Sequence, residues 1–199
     1  MKPDTKSISV NGMDMAKWTW TRRAFLHVSA MGVIGLGGQF AAPSIASARV
    51  LPPGRLKLVN VWSHERLQVT YRDKRGVYDR AALDEVNYLL RCHYSGAVGA
   101  IDVRVLEYVN LVQAVLGKQG EVHVISGFRS PAYNAMLVRS GKRAAKHSLH
   151  MQGQAIDLLI PGVPPKTLRQ AALGLRYGGV GSYRRSRFVH LDSGPFRFW

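Results

Sequence analysis

Two imidazoles and a carboxylate stand out for the chemistry they could do together. His150 and Asp157 lie seven residues apart in the stretch from His147 to Asp157, with Gly153 in the turn between them. His190 sits far downstream, in the run Phe188-Val189-His190-Leu191-Asp192. Neutral imidazole nitrogen and carboxylate oxygen both bind zinc at about 2.0–2.2 Å, and three protein ligands leave a fourth position for water. A zinc so held lowers the pKa of its water to roughly 7 and polarises a carbonyl, so the matching reaction is hydrolysis of an amide by attack of zinc-bound water. The expected cofactor is one zinc ion per chain, on His150, Asp157 and His190.

Other side chains are candidates for the rest of the reaction. Residues two apart on a strand share a face, so Asp192 projects beside His190. It either relays the proton from the metal-bound water to the leaving amine or fixes the tautomer of an imidazole; both readings stay open. Arg129 is placed at a strand-to-helix turn to clamp a substrate carboxylate or stabilise a developing oxyanion, against the blander reading of a surface ion pair. Ser126 and Ser148 can bind substrate or cap turns. His147 reads as solvated, His64 and His123 as structural, and His93 as a helix residue with no partner in sequence.

These groups need elements to position them. Leu56 to Trp62 and Leu67 to Tyr71 alternate apolar and polar residues and read as strands. Asp79 is an N-cap for a helix, and Asp102 begins a second one, with Val105, Leu106, Val109 and Val112 on its apolar face. Val122 to Ser126 is a strand, turned into a helix by Gly127 to Pro131. Asp157 opens a buried strand through Ile160. Pro165, well placed in a first turn, opens a helix through Leu175, and Gly178 to Gly181 ends it before the last strand. The layout is α+β: helices packed on a small, mostly antiparallel sheet.

At 199 residues the chain holds one domain and a short extra segment. Residues 1–48 do not read as part of the fold: Arg22-Arg23 precede Phe25-Leu26, a glycine-diluted apolar run follows, and Ala46-Ser47-Ala48 offers a cleavage site. The paired arginines resemble a twin-arginine signal peptide, which implies the twin-arginine export machinery as a partner and a periplasmic location after cleavage behind Ala48. The apolar run falls short of the about 20 residues that span a bilayer, so no stable membrane insertion is expected after cleavage. Residues 49–54 read as a linker and 55–199 as the catalytic domain. The net charge of +16 calls for an anionic partner; its basic residues are scattered and not interleaved with stacking aromatics, so nucleic acid is not the expected one. Cys92, the lone cysteine, excludes an intrachain disulfide and a cysteine zinc site, and reads as a small buried helix residue.

A longer pattern joins these pieces. Ser126-Gly127-Phe128-Arg129-Ser130, then Ser148, His150, Gly153, Ala155 and Asp157, then Val189-His190, Asp192 and Gly194, resembles the M15 group of zinc D-Ala-D-Ala carboxypeptidases and murein endopeptidases. Within it the chain looks like the exported DUF882, YcbK or MepK-like branch. The resemblance implies the zinc fold shared by Hedgehog proteins and D,D-peptidases, zinc on His150, Asp157 and His190, and the family's arginine at Arg129. It also implies cleavage of peptide cross-links in peptidoglycan, in the MepK-like branch those between two diaminopimelate residues, with stem peptides as the partner bound. The vancomycin-resistance dipeptidases of the group carry a general-base glutamate three positions before the last histidine; here that position is Arg187. A D,D-carboxypeptidase of the same fold, or a module that binds peptidoglycan without cutting it, are the alternatives.

Overall fold

The computed structural model describes residues 51–142, 144–182 and 187–199. The expected leader, its cleavage point after Ala48 and the first residues of the expected linker lie outside the described residues. Among those described, no helix is long and apolar enough to cross a membrane.

Among the described residues twelve elements follow one another: β1 (Gly54–Asn60), β2 (Arg66–Arg72), α1 (Arg80–Leu89), α2 (Val103–Val115), β3 (Glu121–Ser126), α3 (Pro131–Arg139), a 3-10 turn (Leu149–Gln152), β4 (Ala155–Leu159), α4 (Pro165–Leu175), β5 (Gly179–Ser182), β6 (Val189–Asp192) and β7 (Arg197–Phe198). The strands form one mixed sheet in the order β2-β1-β3-β4-β6-β5-β7. The β1–β3 and β5–β7 pairs run parallel; the others are antiparallel. This is the α+β arrangement that the alternation of patterns predicts.

The helices start where their caps dictate. Asp79 accepts the Ala82 N–H, Asp102 the Arg104 N–H and Ser130 the Tyr133 N–H. Each such cap is worth about 1 kcal/mol, because it satisfies a donor that has no partner inside the helix. Asp102 also ties two distant turns together. Its other oxygen accepts the Ser193 hydroxyl at 2.7 Å, while its N–H reaches the Gly153 carbonyl at 3.0 Å. The start of α2 thereby holds both the turn before β4 and the turn after β6.

Side-chain alternation sorts the central strands into two faces. Val122 and Val124 of β3, Ile156 and Leu158 of β4, and Val189 and Leu191 of β6 enter the core with Val105, Leu106 and Val109 of α2. The residues between them, Asp157 on β4 and His190 and Asp192 on β6, therefore share the opposite face. A second polar group is buried elsewhere. Arg72 on β2 meets Glu107 on α2 through Nε–Oε1 at 2.6 Å and Nη2–Oε2 at 3.2 Å, donates also to the Pro52 carbonyl, and Tyr78 donates to the same carboxylate.

The structure corrects several expectations. β1 begins at Gly54, inside the expected linker, and Trp62 lies beyond its end. β4 starts at Ala155, so Asp157 is mid-strand. Gly178 to Gly181 is no mere helix terminator: Gly179–Ser182 is β5, hydrogen-bonded to β6 and β7. Glycine signals a break when backbone freedom decides, but here close approach decides. Gly179 is the cross-strand partner of Asp192 and Gly181 that of His190. A Cβ on Gly179 would strike the Asp192 carboxylate, and one on Gly181 would strike the Trp199 indole.

Candidate metal centre

The Asp157–His190 cross-strand pair, with Ala155 opposite Asp192, is fixed by β4–β6 register. His150 comes from the 3-10 turn just before β4. That turn closes on Gly153 at φ +66°, a left-handed conformation that glycine adopts freely. A side chain there would also run into the Ala100 carbonyl oxygen. The bend carries the chain from His150 into β4 so that His150 and Asp157 meet.

Their donor atoms converge. His150 Nε2 lies 3.2 Å from His190 Nδ1, His190 Nδ1 lies 2.8 Å from an Asp157 oxygen, and His150 Nε2 lies 3.4 Å from the other. All three residues are buried. The opposite nitrogen of each ring already has a partner. His150 Nδ1 is 2.8 Å from the Gly127 carbonyl, an acceptor that requires the N–H there. His190 Nε2 is 3.1 Å from Asp192 Oδ2. Each neutral ring is then left with its lone pair aimed at the other ring and at a carboxylate. Bonds of about 2.0–2.1 Å to a tetrahedral ion put neighbouring donors about 3.3 Å apart, close to the spacing of these three. The residues fit a zinc ion by donor type, by tautomer and by distance.

Electrostatics agree. Burial and its neighbours push His150 below the ordinary histidine range, with Asp157 partly opposing. Burial acts downward on His190 too, but hydrogen bonds to Asp157 and Asp192 overcome it and raise that ring to about 9. Burial would raise Asp157, yet His150 and His190 hold its carboxyl well below the usual range. Without an ion the pocket keeps one proton, on His190, where a cation is wanted.

The motif from Ser126 to Ser130 serves this centre residue by residue. Gly127 supplies the carbonyl for His150, the Arg129 N–H donates to the His150 carbonyl at 3.0 Å, and Ser130 caps α3. The Arg129 guanidinium is buried beside Asp157, its Nη2 3.7 Å from Oδ2, with loose bonds of 3.3 Å to Asn134 and 3.5 Å to Ser126. It is thus not a surface ion pair. Asp192 is fully buried; it accepts from the Gly179 and Gly194 N–H groups and from two Arg197 nitrogens at 3.0 and 2.8 Å, besides His190. It sits at the edge of His190 remote from the donor cluster, which is the position of a tautomer-fixing partner. Trp199 packs against His190 with centroids 5.3 Å apart.

Other expected residues lie elsewhere. Ser148 is buried just before the 3-10 turn and makes no cap bond. His147 and Arg187 are exposed. His123 pairs with Glu121. His93 is past the end of α1 and not on a helix; it stacks on Trp62. Cys92 is buried as expected but likewise beyond α1, its sulfur 3.5 Å from the Ser130 hydroxyl. Sequence reasoning gives no role to the Gly127 carbonyl, Arg197, Trp199 or the β5 glycines. Only the alignment of the Gly-x-Gly of β5 with the His-x-Asp of β6 would signal the last of these, and that depends on register.

The chain is similar in sequence to known proteins. A family model described as peptidoglycan L,D-endopeptidase MepK matches residues 49–199. The peptidoglycan L,D-endopeptidase MepK of Escherichia coli (strain K12) is 36% identical over 186 residues, covering 93% of this chain and 100% of that protein. A protein of the same description from Shigella flexneri shows the same figures, 36% over 186 residues. The probable peptidoglycan L,D-endopeptidase MepK of Haemophilus influenzae is 34% identical over 192 residues, covering 96% of this chain and 98% of that one.

Proposed function

The chain belongs to the peptidoglycan L,D-endopeptidase MepK family, and from that premise we propose that it is a zinc-dependent murein endopeptidase cutting peptide cross-links between two diaminopimelate residues. The observation that carries the zinc reading is the convergence of His150 Nε2, His190 Nδ1 and the Asp157 carboxylate, both rings turned by hydrogen bonds so that their lone pairs meet. These three groups would hold the ion. Zinc supplies a Lewis acid that polarises the scissile carbonyl and brings the pKa of water toward roughly 7.

The chain's own residues do the rest. The Gly127 carbonyl and Asp192 keep the N–H of each imidazole on the side away from the ion, as partners of metal-binding histidines do. Asp192 is a positioning residue, itself clamped by Arg197. Arg129 differs from Arg197: its contacts are long, so its charge is free to turn toward a substrate carboxylate or the oxygen that becomes negative as the amide is attacked. Ser126, beside it, offers a hydroxyl to the same substrate. The net charge of +16 suits stem peptides with free carboxylates and an anionic wall. The paired Arg22-Arg23 supports export by the twin-arginine route to the periplasm, with cleavage after Ala48; the mass of the secreted protein tests that.

Purified protein incubated with defined muropeptide dimers tests the activity. Dimers bridged through two diaminopimelate residues are expected to become monomers, with the reaction stopped by a chelator and restored by zinc. Release of single alanine would instead mark a D,D-carboxypeptidase, and retention of sacculi without products a binding module.

A further inference from the structure

Four rings gather on the surface next to the centre. Trp62, in the turn after β1, stacks on His93 with centroids 4.6 Å apart and planes 15° apart. His93 meets the edge of Tyr133 at 5.0 Å, and Tyr94 stacks on the other part of the group through Tyr133 at 4.8 Å. Hydrogen bonds pin them: the Trp62 indole N–H donates to the Ile125 carbonyl at 2.8 Å, and His93 Nε2 lies 3.1 Å from the Tyr133 hydroxyl. Yet Trp62 is 57% and Tyr94 61% exposed. A ring stacked on one face and still more than half exposed presents its other face to water. Large aromatics held flat and open in this way bury little of their own area, so they contribute less to the fold than they would in a core.

The shelf is tied through β3 to the residues that surround the metal centre. Trp62 and His93 line one hollow with Ser126 and Gly127. The chain that anchors the indole at Ile125, near the end of β3, reaches two residues on, after about 7 Å, the Gly127 carbonyl that orients His150. Arg129 is near enough for its charge to act on both His93 and Tyr133. The ligand that fits has flat apolar faces and needs few new hydrogen bonds, because the indole N–H and the tyrosine hydroxyl are engaged already. A pyranose ring offers such a face of C–H bonds. A peptide strand does not: it would seek a sheet edge, and β3 is paired on both sides.

We propose that Trp62, His93, Tyr133 and Tyr94 form a glycan subsite that seats an N-acetylated amino-sugar ring of the wall strand. This rests on the murein reading above. Cross-linked stem peptides hang from the glycan by a few residues, and three extended residues span about 10 Å, longer than the about 7 Å of chain between the Ile125 carbonyl that anchors Trp62 and the Gly127 carbonyl that orients His150. A sugar on Trp62 would therefore deliver its stem to His150, Asp157 and His190.

Two measurements on the full chain test it. The first compares cross-linked dimers that keep their disaccharides with the same dimers stripped of glycan. Trp62→Ala should lower the ratio of kcat/KM between the two by about tenfold, the size of one lost ring contact, and through KM; Tyr94→Ala should lower it less. Equal losses on both substrates, or an unchanged ratio, would overturn the subsite. The second titrates peptide-free amino-sugar oligomers into zinc-free protein and follows tryptophan emission. A shift in wild type that disappears in Trp62→Phe is expected. No shift, one that persists in Trp62→Phe, or one produced equally by an oligonucleotide overturns it. If wild type cleaves neither dimer, the endopeptidase reading fails, and the emission titration still decides the shelf.

Discussion

Two clusters of charge are buried among the described residues, and they are built on opposite principles. Arg72 and Glu107 close on each other: fork meets carboxylate, the guanidinium donates also to the Pro52 carbonyl, the Tyr78 hydroxyl donates to Glu107, and burial leaves both side chains under a tenth exposed. Every charge there meets its opposite. At the metal centre the outer atoms are satisfied just as fully, by Gly127, Asp192 and Arg197, but the inner atoms of the neutral rings and of Asp157 are acceptors facing acceptors, and without an ion only the proton on His190 offsets them. The first arrangement is complete within the chain. The second is complete only with a cation, and it marks a site of chemistry more firmly than burial or charge alone, since structural ion pairs are buried too.

The contrast is breakable at both ends. The largest effect expected is at the centre: His150→Ala or His190→Ala should abolish zinc retention and reduce cleavage by about a thousandfold or more, read by metal analysis and product formation. A His190→Ala protein that still cuts without metal would end the mechanism. Next, Glu107→Ala should cost about 3–5 kcal/mol of stability, because it strands a buried guanidinium; denaturant unfolding measures it, and turnover per folded molecule should match wild type. A smaller effect is expected one bond out from the metal. Asp192→Asn should weaken zinc binding about 10–100-fold while leaving the fold intact; a large loss of turnover at full zinc occupancy would return the proton-relay role to Asp192.

The smallest effect separates the two clusters by pH. His190, raised to about 9 in the metal-free protein, must give up its proton before the ion can bind. Zinc affinity should rise about tenfold per pH unit and level off above about 9, which competition with a chelating dye can follow. The sign for stability is opposite. A histidine whose folded pKa exceeds its unfolded value stabilises the metal-free fold below about 6.5, and that contribution is lost as pH climbs through 9. Chelator-treated protein should therefore melt at lower temperature toward pH 9.

What can be read from residue order follows the same division. Local rules suffice for the helix starts at Asp79, Asp102 and Pro165 and for the α+β class, because a cap or a proline acts within a turn of where it stands. The ligand trio is legible because imidazole and carboxylate are chemically conspicuous. The surroundings are not. A backbone carbonyl such as that of Gly127 looks the same at every position, so nothing in the sequence marks it as the acceptor that turns His150. Arg197 and Asp192 meet through the loop after β6, where no periodicity predicts contact. His93 reads from sequence as a helix residue, but the helix ends at Leu89, and its stacking on Trp62 depends on two loops far apart in the chain.

The glycines of β5 carry a warning for anyone mapping this protein by substitution. Alanine scanning finds function by subtraction, and at Gly179 and Gly181 there is nothing to subtract. Here the informative experiment is addition. One methyl group would be forced onto the carboxylate that steadies His190 or onto the indole that covers it, so two positions a scan would skip are among those least able to tolerate change.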